Sequence, residues 1–151
     1  MPRVRFNHME LTVAKGVLTT EFRSEVRAFY GDVLGWMVTD AQIVGGLQLL
    51  LRPDETQFIL VAESSRPLSA PGYDHLGLLC DTRADVDAVL AQCEAVAAGD
   101  DRMQLKYYDD LHTGSVVVHA FYVKYLLPIW FDVQVLERHS GPAPAKSWQF
   151  V

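Results

Sequence analysis

Two short stretches of this chain repeat one another, and the repeat limits the fold more than any other feature. Phe6-Asn7-His8-Met9-Glu10-Leu11 and Tyr73-Asp74-His75-Leu76-Gly77-Leu78 share the pattern aromatic, Asn or Asp, His, apolar, any, Leu, at a separation of 67 positions. In a chain of 151 residues such spacing leaves room for two copies of one supersecondary unit. Each copy opens with a strand-like run and passes into a helical pattern. The first helix is expected from about Ser24 to Leu34, where Val26, Phe29, Tyr30, Val33 and Leu34 recur at helical spacing and Gly35 stops it. The second starts at Thr82, whose hydroxyl can cap while Asp85 favours the positive helix end. It carries Val86, Val89, Leu90, Cys93 and Val96 on one face, and Gly99 follows it.

After each helix come β-branched and aromatic runs that read as strands. They are Trp36 to Thr39, Leu47 to Arg52 and Gln57 to Ala62 in the first half, and Gln104 to Tyr108, Val116 to Lys124 and Ile129 to Leu136 in the second. The order is βαβββ twice, an α+β chain. One domain is expected: module one over 4–63, a Pro-, Ser- and Gly-rich linker over 64–72, module two over 73–138, and an irregular tail over 139–151.

Half of the residues are apolar, enough for a core without disulfides or structural metals. Cys80 and Cys93 lie in apolar segments with no CxxC pair and read as reduced thiols. The opening residues lack a signal-peptide pattern and no run is long enough to span a membrane, so a soluble cytoplasmic protein is expected. A net charge of −6 with scattered basic residues argues against nucleic acid and against a membrane surface as partners. There is no GxSxG, HExxH, P-loop or dinucleotide fingerprint.

These features resemble the vicinal oxygen chelate superfamily of glyoxalases, bleomycin-resistance proteins and extradiol dioxygenases. The resemblance rests on the two His-bearing strands, on Ala28-Phe29-Tyr30-Gly31-Asp32-Val33-Leu34-Gly35-Trp36, and on the closing strand Pro128-Ile129-Trp130-Phe131-Asp132-Val133-Gln134-Val135. It covers about Phe6 to Leu136. It implies that each βαβββ half curls into an open cup and that two halves face each other around a cavity. In short chains of this kind the halves pair within a chain or across a two-fold axis, and a homodimer is expected.

The resemblance also implies where a divalent metal (Zn, Ni, Mn or Fe) would sit. The family's ligand positions hold His8, Leu60, His75 and Gln134 here. Leu60 removes a four-ligand site, and Gln134 stands where three-ligand enzymes carry Glu, so the remaining set lacks an anion. Strand alternation puts Phe6, Glu10 and Thr12 on the face of His8, and Trp130 and Asp132 on that of Gln134. Glu10 and Asp132 are therefore the candidate catalytic bases. Trp130, Tyr108 and Tyr122 are the candidate ligand-binding aromatics, the other rings of the second half being core by default. His112 falls in a turn-like segment, and His119 and Lys124 lie on opposite faces of one strand. Two functions fit: a metal-assisted lyase, isomerase, dioxygenase or transferase acting on a substrate with adjacent oxygens, or a metal-free protein that binds or sequesters a small molecule.

Overall fold

The computed structural model describes residues 4–141, so most of the expected tail lies outside the described residues. Two open mixed sheets are present. The first holds β1 (His8–Ala14), β2 (Met37–Ile43), β3 (Gly46–Arg52) and β4 (Phe58–Ser64) in the order β1-β4-β3-β2. The second holds β5 (His75–Leu79), β6 (Gln104–Tyr107), β7 (Leu111–Thr113), β8 (Val116–Lys124) and β9 (Trp130–Arg138) in the order β5-β9-β8-β6, with β7 also on β8. In each, the first strand pairs in parallel with the last and the remaining pairs are antiparallel. Each half thus follows the βαβββ plan, with a helix linking the opening strand to the rest.

The first helix, α1 (Thr20–Val26), starts four residues before the sequence periodicity indicates. Thr19 caps it by accepting a hydrogen bond from the Phe22 amide at 3.1 Å. Beyond Val26 the helix continues in π-helical form over Arg27–Val33, a widened turn of the kind inserted into α-helices. The second helix, α2 (Arg83–Ala97), has the expected cap: Thr82 and Asp85 form a reciprocal capping box.

A further departure lies in the second half. The segment expected to be a turn around His112 contains β7, and the registers of β6 and β7 on β8 differ by one. Tyr107 pairs with Phe121, whereas Leu111 pairs with Val118. Three residues, Tyr108 to Asp110, therefore oppose only Ala120 and His119. We read β6 and β7 as one edge strand interrupted by a β-bulge. The extra residue inverts the alternation beyond it and puts Leu111 on the face of Lys106 and Tyr122.

The inner faces of both sheets and the two helices share one apolar core. Leu11, Leu49, Leu51 and Val61 come from the first sheet, Phe121, Phe131 and Val133 from the second, and Val26, Phe29, Tyr30, Val86 and Cys93 from the helices. Tyr30 joins the halves. Its fully buried ring lies 5.5 Å from that of Phe131 and 5.8 Å from that of Trp36, and its hydroxyl donates to the Tyr125 carbonyl at 2.7 Å. That carbonyl begins a tight turn in which Leu126 has φ of 63°, a strained value for a branched residue. Outside the core, Arg102 pairs with Glu25 across the halves. Removing the phenol oxygen leaves the Tyr125 carbonyl with the Leu127 amide as its donor, so Tyr30→Phe is expected to cost about 0.5–1.5 kcal/mol. Chemical denaturation measures it, and an unchanged midpoint would show that the bond contributes nothing.

Candidate functional site

Because the main strands of both sheets turn their apolar parity into the shared core, the residues singled out by sequence lie on the opposite faces. On the first sheet His8 is exposed, stacks on Phe58 with ring centres 4.9 Å apart, and has Nδ1 2.8 Å from Asn7 Oδ1. Glu10 pairs in register with Leu60, which in turn faces Leu50. Glu10 lines a polar hollow of about 480 Å³ with Gln48, Glu63 and the β2–β3 turn.

The other candidates lie on the second sheet. His75, Asp132 and Tyr122 are neighbours across three strands: His75 pairs with Trp130, and Asp132 with both Gly77 and Tyr122. The His75 ring lies 4.9 Å from that of Tyr122, and its Nε2 is 4.0 Å from Asp132 Oδ2. Its Nδ1 is 2.7 Å from the Tyr73 carbonyl, which can only accept, so Nδ1 carries the hydrogen and Nε2 is left free. Gln134 turns its amide over Gly77; a Cβ there would approach Gln134 Nε2 to 3.1 Å. Trp130 is nearly buried and packs on Tyr73 with centres 5.5 Å apart, outside the pocket described next.

That pocket has a volume of about 500 Å³ and is lined by Tyr108, Asp109, Asp110, Leu111, Val118, Ala120, Tyr122 and Asp132. Val118, Ala120 and Tyr122 share one face of β8, and Ala120 leaves the space that a larger residue would fill. Tyr108 stands beside Tyr122 with ring centres 4.9 Å apart. Leu111 reaches this face through the bulge. Asp132 is 8% exposed, and its Oδ1 is sealed with no hydrogen-bond partner. Burial raises its pKa above the usual carboxylate value, against the opposing pull of His75 and Tyr122. Burial likewise raises the Tyr122 phenol, and the Asp132 charge adds to it.

Charged groups behind the bulge hold its outer side. Arg83, the first residue of α2, gives one guanidinium to Asp110 (3.1 and 2.7 Å) and to Glu137 on β9. His119 has Nε2 2.8 Å from Asp87 and Nδ1 2.8 Å from both Asp110 Oδ1 and Arg83 Nη1. One nitrogen cannot accept from Arg83 while donating to Asp110. A protonated ring donates to both carboxylates, and the Arg83 guanidinium beside it is then a neighbour on Asp110 and not a hydrogen-bond partner of the ring. Burial lowers the His119 pKa, but the bonds to Asp87 and Asp110 outweigh it and the net shift is upward. His119 therefore points to the helix side, and Lys124, of opposite parity, lies on the open face with its Nζ 3.4 Å from the Ala70 carbonyl.

Of the residues proposed from sequence, the structure gathers Tyr108, Tyr122 and Asp132 in one pocket with His75 beside it. His8 and Glu10 lie on the other sheet, and among the described residues no hydrogen bond, ion pair or ring contact joins His8 to His75. Among the described residues no three His, Cys, Asp or Glu side chains gather as a metal-holding group. Asp109, Asp110, Leu111, Val118, Ala120 and the Arg83 clamp were not singled out by sequence. Only the polar run Tyr108-Asp109-Asp110, breaking two strand-like patterns, could have signalled the bulge.

No family model and no curated protein matches the chain. Solved structures do. A glyoxalase family protein from Bacillus anthracis superposes with a TM-score of 0.60 at 15% identity, covering 91% of this chain and 98% of that one. An antibiotic binding protein from Streptomyces gives 0.58 at 14% over 91% and 99%. Lactoylglutathione lyase from Agrobacterium tumefaciens gives 0.54 at 15% over 89% and 95%. The chain has the glyoxalase and bleomycin-resistance fold. Within this glyoxalase-type scaffold the second sheet carries the more apolar of the two hollows, and the bulge shapes its rim.

The His119 shift has a definite sign. A folded pKa above the ordinary value of about 6.5 means that its bonds contribute stability fully below that pH and lose it as pH rises through the folded pKa. NMR titration of the imidazole should show a midpoint above about 6.5, lowered in Asp110→Asn. A wild-type midpoint at or below the ordinary value would contradict the bonding described.

Proposed function

We propose that this protein binds a small, largely apolar molecule in the pocket on the open face of the second sheet, without a metal ion. The pocket itself carries the reading: about 500 Å³ lined by Tyr108, Tyr122, Leu111, Val118 and Ala120, with Asp109, Asp110 and Asp132 as its acidic groups. Apolar walls with a few placed polar groups are the usual construction of small-molecule sites. The antibiotic binding protein of the same fold supports this use of the scaffold.

A metal-dependent lyase, isomerase, dioxygenase or transferase is the second reading, and one observation favours it. His75 is oriented through Nδ1 by a backbone carbonyl with Nε2 free, the way metal-binding histidines are held. The donor set does not fit a metal. Leu60 has no donor atom, Gln134 is neutral and packs against Gly77, and His8 is engaged with Asn7 and Phe58. Glu10 and Asp132, its candidate bases, lie on different sheets. No catalytic step is assigned to a metal.

We also propose a homodimer. Leu79, Leu136 and Tyr73 are 45–55% exposed, apolar side chains that a partner surface would cover. Free Cys80 and Cys93 suit a reducing compartment such as the cytoplasm. Among the described residues no helix is long and apolar enough to cross a membrane.

Calorimetry tests the site. Planar apolar ligands should bind the wild type and lose about tenfold or more in Tyr122→Ala, about 1.4 kcal/mol, while Tyr107→Ala on the other face should bind normally. Equal loss in both variants, or none in either, would remove the pocket assignment. In the same apparatus Zn²⁺, Ni²⁺, Mn²⁺ and Fe²⁺ should show no site tighter than about micromolar. A tighter site abolished by His8→Ala and by His75→Ala would move the assignment to the metal enzyme. Light scattering at micromolar protein should give the mass of a dimer, and a monomer would contradict that proposal.

A further inference from the structure

We infer, building on the pocket reading above, that its ligand is an organic cation: an aromatic or other apolar body bearing a protonated nitrogen that docks on Asp132. Three independent features of the second sheet lead there.

The first is an unfilled acceptor. A carboxylate offers about four lone-pair positions to donors. Asp132 lies on a central strand, 8% exposed, yet its Oδ1 has no hydrogen-bond partner. The His75 Nε2 closest to Oδ2 stands at 4.0 Å, beyond hydrogen-bond length. A carboxylate placed so deep, with Tyr122 as its side-chain donor and Oδ1 unpartnered, is costly unless something supplies more. Asp132 also lines the pocket, so a ligand donor there would meet the part of the carboxylate that is not sealed.

The second is the sign of the lining. Three acidic residues, Asp109, Asp110 and Asp132, border the pocket, and none of its lining residues is Lys, Arg or His. The charge of Asp110 is met from behind by Arg83 and His119. Asp132 is met only by His75, at 4.0 Å, so an anionic ligand would approach a lining that is acidic on balance. A ligand ammonium supplies both the missing charge and the missing hydrogens.

The third is an aromatic surface that already holds a cation. The Lys106 Nζ sits 3.6 Å over the Tyr73 ring and 5.1 Å from the centre of Tyr108. Tyr108 in turn adjoins Tyr122, which pairs in register with Asp132. The attraction of these ring faces for positive charge is thus in use at one edge of the site. A ligand cation beside Tyr122 would meet a ring face and a carboxylate together.

The test uses three probes of one shape and different charge: naphthylethylamine, naphthylethanol and naphthylacetate. Binding is followed by calorimetry and by NMR shifts at Tyr108 and Tyr122. The amine should bind about tenfold tighter than the alcohol, with the acetate weakest, and Asp132→Asn should bring amine and alcohol to about the same affinity while leaving the alcohol unchanged. Should the variant not fold, the wild-type order of the three probes decides alone. Alcohol binding as tightly as amine overturns the cation inference and leaves the pocket reading standing. An amine preference that survives in folded Asp132→Asn overturns the assignment to Asp132. Failure of all three to bind at millimolar concentration overturns both readings.

Discussion

Tyr30 is the point on which the two halves depend. A phenol is large, flat and polar at one end only, and here the flat part fills the space between the first helix and the second sheet while the hydroxyl reaches the Tyr125 carbonyl. The helices and both sheets pack into one apolar cluster, so the two halves share a core. The π-helical stretch around Tyr30 belongs to the same junction: it carries Phe29 and Tyr30, whose rings meet at 5.0 Å, both into the core. With the apolar faces committed inward, the residues of opposite parity are left outside. Those outward faces are where any ligand must be met.

The two halves share a plan and differ in one residue of register. In the first, β2 runs unbroken against β3 over seven pairs. In the second, the corresponding edge is split by the bulge at Tyr108 to Asp110. The extra residue sends Asp110 toward α2, where Arg83 and His119 bind it, and brings Leu111 to the pocket side. Ion pairs of moderate exposure, not core packing, therefore set the position of the rim. Such bonds respond to protonation, whereas the apolar floor beneath them does not.

Much of this was legible in the chain. The βαβββ repeat, the Thr82–Asp85 cap and the parity that groups His75 with Tyr73, and Asp132 with Trp130 and Gln134, all follow from periodicities of 2 and 3.6 that local chemistry enforces. The start of the first helix was less legible, because Thr19 to Arg23 presents too few apolar residues to register as a periodic face and the cap decides the boundary. Trp130 was expected at the ligand; it packs on Tyr73 outside the pocket lining, since parity assigns a face but not a depth.

By itself the sequence determined which side chains share a face, the order of strands and helices, and the absence of a donor at Leu60 and of an anion at Gln134. Only the tertiary structure decided which of those faces encloses a pocket, that the edge strand of the second half bulges, and that Asp132 lies deep with an acceptor unmet. The physical reason is range. Alternation and capping act between residues a few positions apart, whereas the pocket is made by Tyr108, Tyr122 and Asp132 from separate segments, and its rim by contacts between Arg83, Asp110 and Glu137. Those distances are set by how two sheets and two helices pack around one core, which no local pattern encodes.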